Sequence, residues 1–201
     1  AILEPLGLAA GQVIPCREWR ELYAALDCGA VAAIHPFYTA AVREFEDAGK
    51  PIIGSAPVGV EGTNSWIDSI GDAFNITKKV IGEAKQKILP QIQKSLDDKK
   101  IKNKITVSGY EGSELIVART LIEAGAEVPY VGTACPKTEW STADKDWLES
   151  RGVFVKFRAS LEDDISAVKS VSPDLAIGTT PVVQKAKELG IPSLYYTNLI
   201  S

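Results

Sequence analysis

The chain has 201 residues, of which 45% are apolar and 24% charged, and its formal net charge is −4. That composition suits a globular protein with a real core and excludes a disordered or fibrous chain. The mild acidity argues against a general nucleic-acid binder, which carries a basic excess, and no apolar run approaches the roughly 18 residues needed to cross a bilayer.

Three cysteines, Cys16, Cys28 and Cys135, stand at unrelated spacings. They make neither a disulfide framework nor a CxxC metal pair, which points to a reducing, cytoplasmic setting. No signal-peptide pattern opens the chain. Methionine is absent, position 1 included, so the sequence is expected to be a piece of a longer chain.

In chain order, residues 1–6 (AILEPL) read as the tail of a helix closed by Gly7. Residues 17–27 place Trp19, Leu22, Tyr23 and Leu26 at helical spacing. AVAAI (30–34) is wholly apolar, as a buried parallel strand is. Residues 38–48 are amphipathic, Gly49 ends them, and KPIIG (50–54) is a second short strand. A long helical region from about Thr63 to Asp97 follows. Gly71, Gly82 and Pro90 should divide it into two or three pieces. Its lysines (78, 79, 85, 87, 94, 99, 100, 102 and 104) read as a solvated face with a polar linker, the alternative being a basic docking face.

From Lys104 strands and helices alternate regularly. Strands are predicted at 105–109, 127–132, 153–157, 174–178 and 193–196, with helices over 112–124, 146–152, 160–170 and 181–189. Such alternation predicts βαβ units and parallel sheets. The fold class is therefore α/β with Rossmann-like, doubly wound sheets. A partial α/β domain spans 1–62, a linking helical region 63–103, and a near-complete α/β domain 104–201.

Ligands of open parallel sheets bind at the carboxyl ends of the strands, so the loops there hold the candidates. After the first strand comes His35, the sole histidine, able to hold a metal or carry a proton near neutrality, or simply to be hydrogen-bonded in place. Phe37 and Tyr38 follow it. Gly54–Gly59 is a glycine-bearing turn. The loop of Tyr110, Glu111 and Gly112, followed by Ser113 and Glu114, lies between strand and helix but lacks the full G-x-G-x-x-G spacing. Its acids disfavour phosphate, and Glu114 is expected to cap its helix together with Ser113. The ten-residue loop 132–141 carries Thr133, Cys135, Lys137 and Trp140; long loops at this edge are often functional, although Cys135 also reads as a buried, inert thiol. Thr179 and Thr180 open a helix with Pro181 in its first turn. Either hydroxyl can cap the helix or meet a ligand. The residues alone reach a two-lobed α/β protein with a ligand crevice.

The run GYEGSELIVARTLIEAGAEVPYVGTACPKTEWSTADKDWLESRGVFVKFRASLEDD, then PDLAIGTTPVVQKAKELGIPSLYYTNLIS, with the upstream REWRELYAALDCGAVAAIHPFYTAAVREFEDAGKPIIGSAPVGVEGT, resembles the nitrogenase-like family, which includes nitrogenase and dark-operative protochlorophyllide reductase. Within it, VGTACP and AIGTTPVVQKAKELGIP favour the chlorophyllide-reducing members. The resemblance implies catalytic subunits of three α/β domains, this chain matching the end of the second, the linking helix and most of the third. It implies two-electron reduction of the C7=C8 bond of chlorophyllide a. It also implies a [4Fe–4S] cluster shared with a paired subunit in a heterotetramer, and an ATP- and Mg-dependent iron protein as electron donor. The cluster cysteines would belong to the first domain, so none of the three cysteines here is assigned to it. A strand like AVAAI ends in nitrogenase with a cluster-ligating cysteine; His35 takes that position here, which suits a pigment in place of a metal cluster. The resemblance further implies that Tyr110, Glu111, Gly112, Thr133, Cys135, Lys137, Thr179 and Thr180 surround the pigment, with Phe37, Tyr38, Tyr110 and Trp140 as walls and Lys137 toward its propionate. Alternatives are another tetrapyrrole reductase or cofactor-assembly scaffold of the family, a two-lobed binding protein without chemistry, or a nucleotide-sugar transferase.

Overall fold

Apolar runs too short for a helix, separated by amphipathic helices, bury both strand faces by forming parallel sheets. The computed structural model, which describes residues 2–35 and 39–196, shows parallel strands with helices between them twice, but the AVAAI strand expected to be buried is only partly covered, Ala32 and Ile34 being exposed. Residues 2–34 and 39–94 make one compact unit; His35 and residues 95–196 make the other.

The first unit opens not on an α-helix but on a single 3₁₀ turn, Glu4–Leu6. Gly7 closes it at φ 71°, its N–H bonding to the Glu4 carbonyl. Helix α1 (Trp19–Ala25), strand β1 (Val31–Ala33), helix α2 (Thr39–Asp47) and strand β2 (Ile52–Gly54) follow. β1 and β2 pair in parallel, Val31 opposite Ile52 and Ala33 opposite Gly54. Helix α3 (Gly59–Ala73) lays Trp66, Ile67 and Ile70 against Ile53, Leu6 and Ala84. Trp19 and Tyr23, read as one stripe of α1, are exposed.

Helix α4 (Lys78–Asp97) runs through Gly82 and Pro90 without a break. Pro90 and Gln86, one turn before it, are both exposed. The carbonyl that loses its partner can therefore be satisfied by water. The interruption falls instead at 74–77, where Asn75 takes φ 51°, a conformation asparagine tolerates. Lys85 reaches Asp68 at 2.6 Å, while Lys78, Lys79, Lys87 and Lys94 face solvent. Among the described residues no helix is long and apolar enough to cross a membrane.

The second unit is built from β3 (Lys104–Gly109), α5 (Glu114–Glu123), β4 (Glu127–Thr133), α6 (Thr142–Glu149), β5 (Phe154–Phe157), α7 (Leu161–Val171), β6 (Leu175–Gly178), α8 (Thr180–Glu188) and β7 (Ser193–Tyr195). All five strands are parallel in the order β5-β4-β3-β6-β7. Right-handed crossovers in that order put α5 and α6 on one face and α7 and α8 on the other. Val107, Val131 and Ile177 lie side by side in register at the centre and are buried with Leu115, Ala118 and Leu148. Arg119 of α5 and Asp144 of α6 form a buried ion pair. The Trp147 ring stacks under both Arg119, at 4.6 Å, and Arg151, at 3.7 Å. Ser160 caps α7 reciprocally with Asp163, whose carboxyl those two donors hold below its ordinary range.

Candidate functional site

The chain winds outward from β3 through β4 to β5, then returns to add β6 and β7 on the other side. The reversal lies between β3 and β6, and there the loops leave the sheet in opposite directions and open a crevice beyond the carboxyl ends. Tyr110, Glu111, Gly112, Thr179 and Thr180 all fall at this switch point.

The β3 loop is shaped by a close approach. The Glu114 side chain is 0% exposed and folds back so that Oε1 accepts the Glu111 N–H at 2.9 Å. It lies against Gly109, where a Cβ would stand 3.0 Å from the carboxyl carbon. Glycine is therefore required at the end of β3. Glu114 Oε2 is buried and has no hydrogen-bond partner among the described residues. Gly112 supplies the turn at φ 88°. The expected Ser113 cap is absent: its hydroxyl pairs with the buried Tyr196 hydroxyl at 2.9 Å and not with the helix backbone. Glu114 thus fills the space, and engages the loop N–H, that a phosphate would need in a dinucleotide fold. This explains physically why the glycine pattern is incomplete.

Backbone hydrogen bonds tie neighbouring loops together. Ala134 N–H donates to Gly109 O at 3.0 Å, Ala159 N–H to Thr133 O at 2.9 Å, and Arg158 N–H to Cys135 O at 3.1 Å. Thr133 is buried and its hydroxyl accepts the Cys135 N–H at 3.2 Å. Cys135 is buried, its thiol aimed at Tyr110 O, 3.8 Å away. Burial raises the Cys135 pKa, against the hydrogen bond from Thr133. This is a packed thiol rather than an activated one. Lys137 is exposed and Trp140 half-buried. Beyond them Thr138 and Ser141 cap a short 3₁₀ turn, Glu139–Ser141.

Deeper on the α7 face, the Tyr130 hydroxyl donates to Asp164 Oδ1 at 2.8 Å. Gly132 makes room for the pair: a Cβ there would meet the Tyr130 hydroxyl at 2.7 Å and Asp164 as well. Burial raises the Asp164 pKa to about 6, opposed by the Tyr130 hydrogen bond and assisted by the Asp163 and Glu114 charges. Burial also raises the Tyr130 phenol.

Across the switch point, Gly178 ends β6 close under Val182 and the Ser108 hydroxyl. Thr179 is the N-cap residue of α8 but its side chain makes no capping bond, and Thr180 is exposed. The Tyr110 hydroxyl meets the Tyr195 hydroxyl at 3.5 Å. That bond and the Tyr195 charge raise the Tyr110 pKa.

His35 follows β1 by two residues, is half-buried, and groups with the second unit although β1 belongs to the first. The β2 loop begins at Ser55 with φ 63°. The β1 and β2 loops leave the same sheet edge, because the two strands are parallel and in register. Phe37 and Tyr38 lie outside the described residues. Tyr195, Tyr196 and Asp164 are site residues the sequence did not single out, and Ser113 and Glu114 were read there only as a helix cap. The paired tyrosines at the end of the last strand were the visible signal for two of them.

The donor set does not fit an iron–sulfur cluster. Among the described residues no group of three or more His, Cys, Asp or Glu is arranged to hold a metal ion. Cys16 and Cys28 are half-buried, and Cys135 is buried in the other unit.

The family model for nitrogenase component 1 type oxidoreductases matches residues 1–201. The chain belongs to this family. It is 66% identical over 201 residues to the chlorophyllide reductase 52.5 kDa chain of Cereibacter sphaeroides, and 64% identical to that of Rhodobacter capsulatus. It spans 40% of the length of each. To subunit N of the light-independent protochlorophyllide reductase of Prochlorococcus marinus it is 28% identical over 187 residues, which is 88% of this chain and 43% of that one. Nitrogenase Cp1 at pH 5 superposes with a TM-score of 0.73 at 13% identity, over 98% of this chain and 48% of that one. This family member therefore has the nitrogenase-like α/β fold, with parallel sheets and helices between their strands.

Proposed function

We propose that this chain acts as part of the Y subunit of chlorophyllide a reductase, in the two-electron reduction of the C7=C8 bond of ring B during bacteriochlorophyll synthesis. The observation that carries this reading is 66% identity, along the full 201 residues, to a chlorophyllide reductase chain, against 28% to a protochlorophyllide reductase subunit.

Saturating one C=C bond takes two electrons and two protons. The electrons come from outside this chain, from an ATP-hydrolysing, Mg-dependent iron protein, the X subunit. The ligands of the [4Fe–4S] cluster, shared with the Z subunit in a heterotetramer of two Y and two Z, are assigned to residues beyond these 201. What this chain contributes is a binding surface. A flat macrocycle needs apolar walls and a few placed polar groups, and loops at the strand ends supply both. Tyr110 and Trp140 are assigned as walls; Phe37 and Tyr38, assigned with them from the sequence, lie outside the described residues. Thr133, Cys135, Glu111 and Gly112 form a floor held by the hydrogen bonds described above, with Thr179 and Thr180 beside it. Lys137, exposed and cationic, pairs with the propionate in a charge-assisted contact. His35 faces the pigment as a ligand to its magnesium or as a hydrogen-bond or proton donor.

The test is reconstitution of the assembled complex with the Z and X subunits, ATP and a reductant. Conversion of a chlorin absorption spectrum into a bacteriochlorin one supports the reading. A shifted but unconverted spectrum, or no binding, overturns it.

A further inference from the structure

The carboxyl ends of β3 and β4 carry two bare positions. Gly109 stands opposite Thr133 and, one place back, Ser108 stands opposite Gly132. Each glycine receives a carboxyl group where a Cβ would otherwise lie, Glu114 at Gly109 and Asp164 at Gly132. Glu114 opens α5 and Asp164 lies in the first turns of α7, helices on opposite faces of the sheet. Both acids are buried, at 0% and 5% exposure.

We propose that Glu114 and Asp164 form a proton-holding pair, which stores one proton beneath the strand-end loops and gives it up to the reduction in the crevice. The proposal deepens the reading of the chain as part of a chlorophyllide reductase subunit and rests on it.

Two neighbouring buried acids resist ionising together unless a cation offsets them. The charges acting on Asp164 are those of Asp163 and Glu114, both negative, and they add to burial in favouring the protonated form. The elements around Asp164 bring no counter-charge to it. From β4 comes the Tyr130 phenol, donating to Oδ1 at 2.8 Å. Helix α8 meets α7 through Val182 and Ala186. Lys156 of β5 lies 3.9 Å from Asp163. On the other face, the Glu114 charge reaches the Cys135 thiol and the Tyr196 phenol, whose pKa values it raises. Glu114 Oε1 takes the Glu111 N–H, whereas Oε2 has no donor among the described residues. One proton placed in the pair therefore either neutralises Asp164 or supplies the donor that Oε2 lacks. Coupled acids release their protons in separate steps, so one is retained after the other has gone.

Saturating the ring B double bond uses that proton. The O–H bond of the store breaks as a C–H bond forms, and the electron pair of the new bond comes from the iron protein. The carboxylate left behind takes its next proton from solvent, which also supplies the second proton of the reaction.

The experiment uses the full-length subunit assembled with Z and loaded with chlorophyllide a. Without the iron protein, infrared difference spectroscopy in H2O and D2O reads the C=O stretch of a protonated carboxyl group. The expected result is one such band that disappears as pH rises through neutrality and is missing in Asp164→Asn. In Glu114→Gln it should vanish at lower pH, because the opposing charge is gone. In Tyr130→Phe it should persist to higher pH, because the hydrogen bond that favours the carboxylate is gone. With the iron protein and ATP restored, Asp164→Asn should lower kcat about a hundredfold, the contribution of one positioned proton donor, with KM unchanged and the high-pH limb of kcat lost. A carboxyl band that is absent in wild type, or the same in wild type and Asp164→Asn, overturns the proposal and leaves the functional reading intact; so does a wild-type kcat and pH profile in that variant. Should Asp164→Asn not assemble, Tyr130→Phe decides alone, an unmoved band overturning the proposal. A wild-type complex that binds chlorophyllide without converting it overturns both.

Discussion

Gly109 and Glu114 are fitted to one another. The Glu114 carboxyl occupies the space a Cβ at Gly109 would need and takes the Glu111 N–H at 2.9 Å. The turn from β3 into α5 is shaped around this contact.

Gly109→Ala should therefore destabilise the protein by about 1–3 kcal/mol, the range for overpacking a filled interior. Urea unfolding measures it. In the Glu114→Ala background the same change should cost much less, because the clash partner is gone; equal costs would show that the contact does not matter.

The Tyr130–Asp164 pair predicts a pH dependence. With its pKa raised from the ordinary value of 3.8 to about 6, Asp164 binds a proton more readily folded than unfolded. Between pH 4 and 6 the folded state holds the extra proton, so this residue makes stability fall as pH rises through that window and level off above it. Asp164→Asn keeps an acceptor for Tyr130 but does not titrate. Unfolding at pH 4.5 and pH 7 should show a smaller loss in the variant than in the wild type.

The buried Arg119–Asp144 pair is sensitive to loss of one member. Asp144→Ala removes the carboxylate paired with a guanidinium that is 5% exposed, at about 3–5 kcal/mol. Replacing both, as Arg119→Met with Asp144→Leu, should recover most of that. Thermal unfolding of the two variants makes the comparison.

For pigment binding, Lys137→Glu should weaken chlorophyllide affinity in the assembled complex by about tenfold or more, the loss of a charge-assisted contact plus repulsion. It should leave the unfolding temperature nearly unchanged, since Lys137 is exposed. His35→Ala should lower both affinity and turnover. Pigment titration followed by absorption checks both; unchanged binding removes that residue from the site.

The sheet of the second unit was legible because its strands are buried on both faces, so Val107, Val131 and Ile177 sit in apolar runs that helices cannot mimic at that length. Gly7 was legible for a local reason, a left-handed residue at a turn's end. Features set by tertiary contacts were not. Pro90 reads as a stop only if its freed carbonyl has no water. Ser113 reads as a cap until Tyr196, 83 residues away, competes for its hydroxyl. The Tyr110–Tyr195 meeting follows from strand order, β7 lying two places from β3, which residue spacing alone does not encode.

The ties between the loops at the strand ends are made by peptide groups: Ala134 to Gly109, Ala159 to Thr133, Arg158 to Cys135. Peptide groups survive almost any exchange of side chain. The framework at the strand ends is accordingly indifferent to the side chains mounted on it, and those can be exchanged without recasting the base. A scaffold shared with a nitrogenase at 13% identity is what such a division of labour would leave behind.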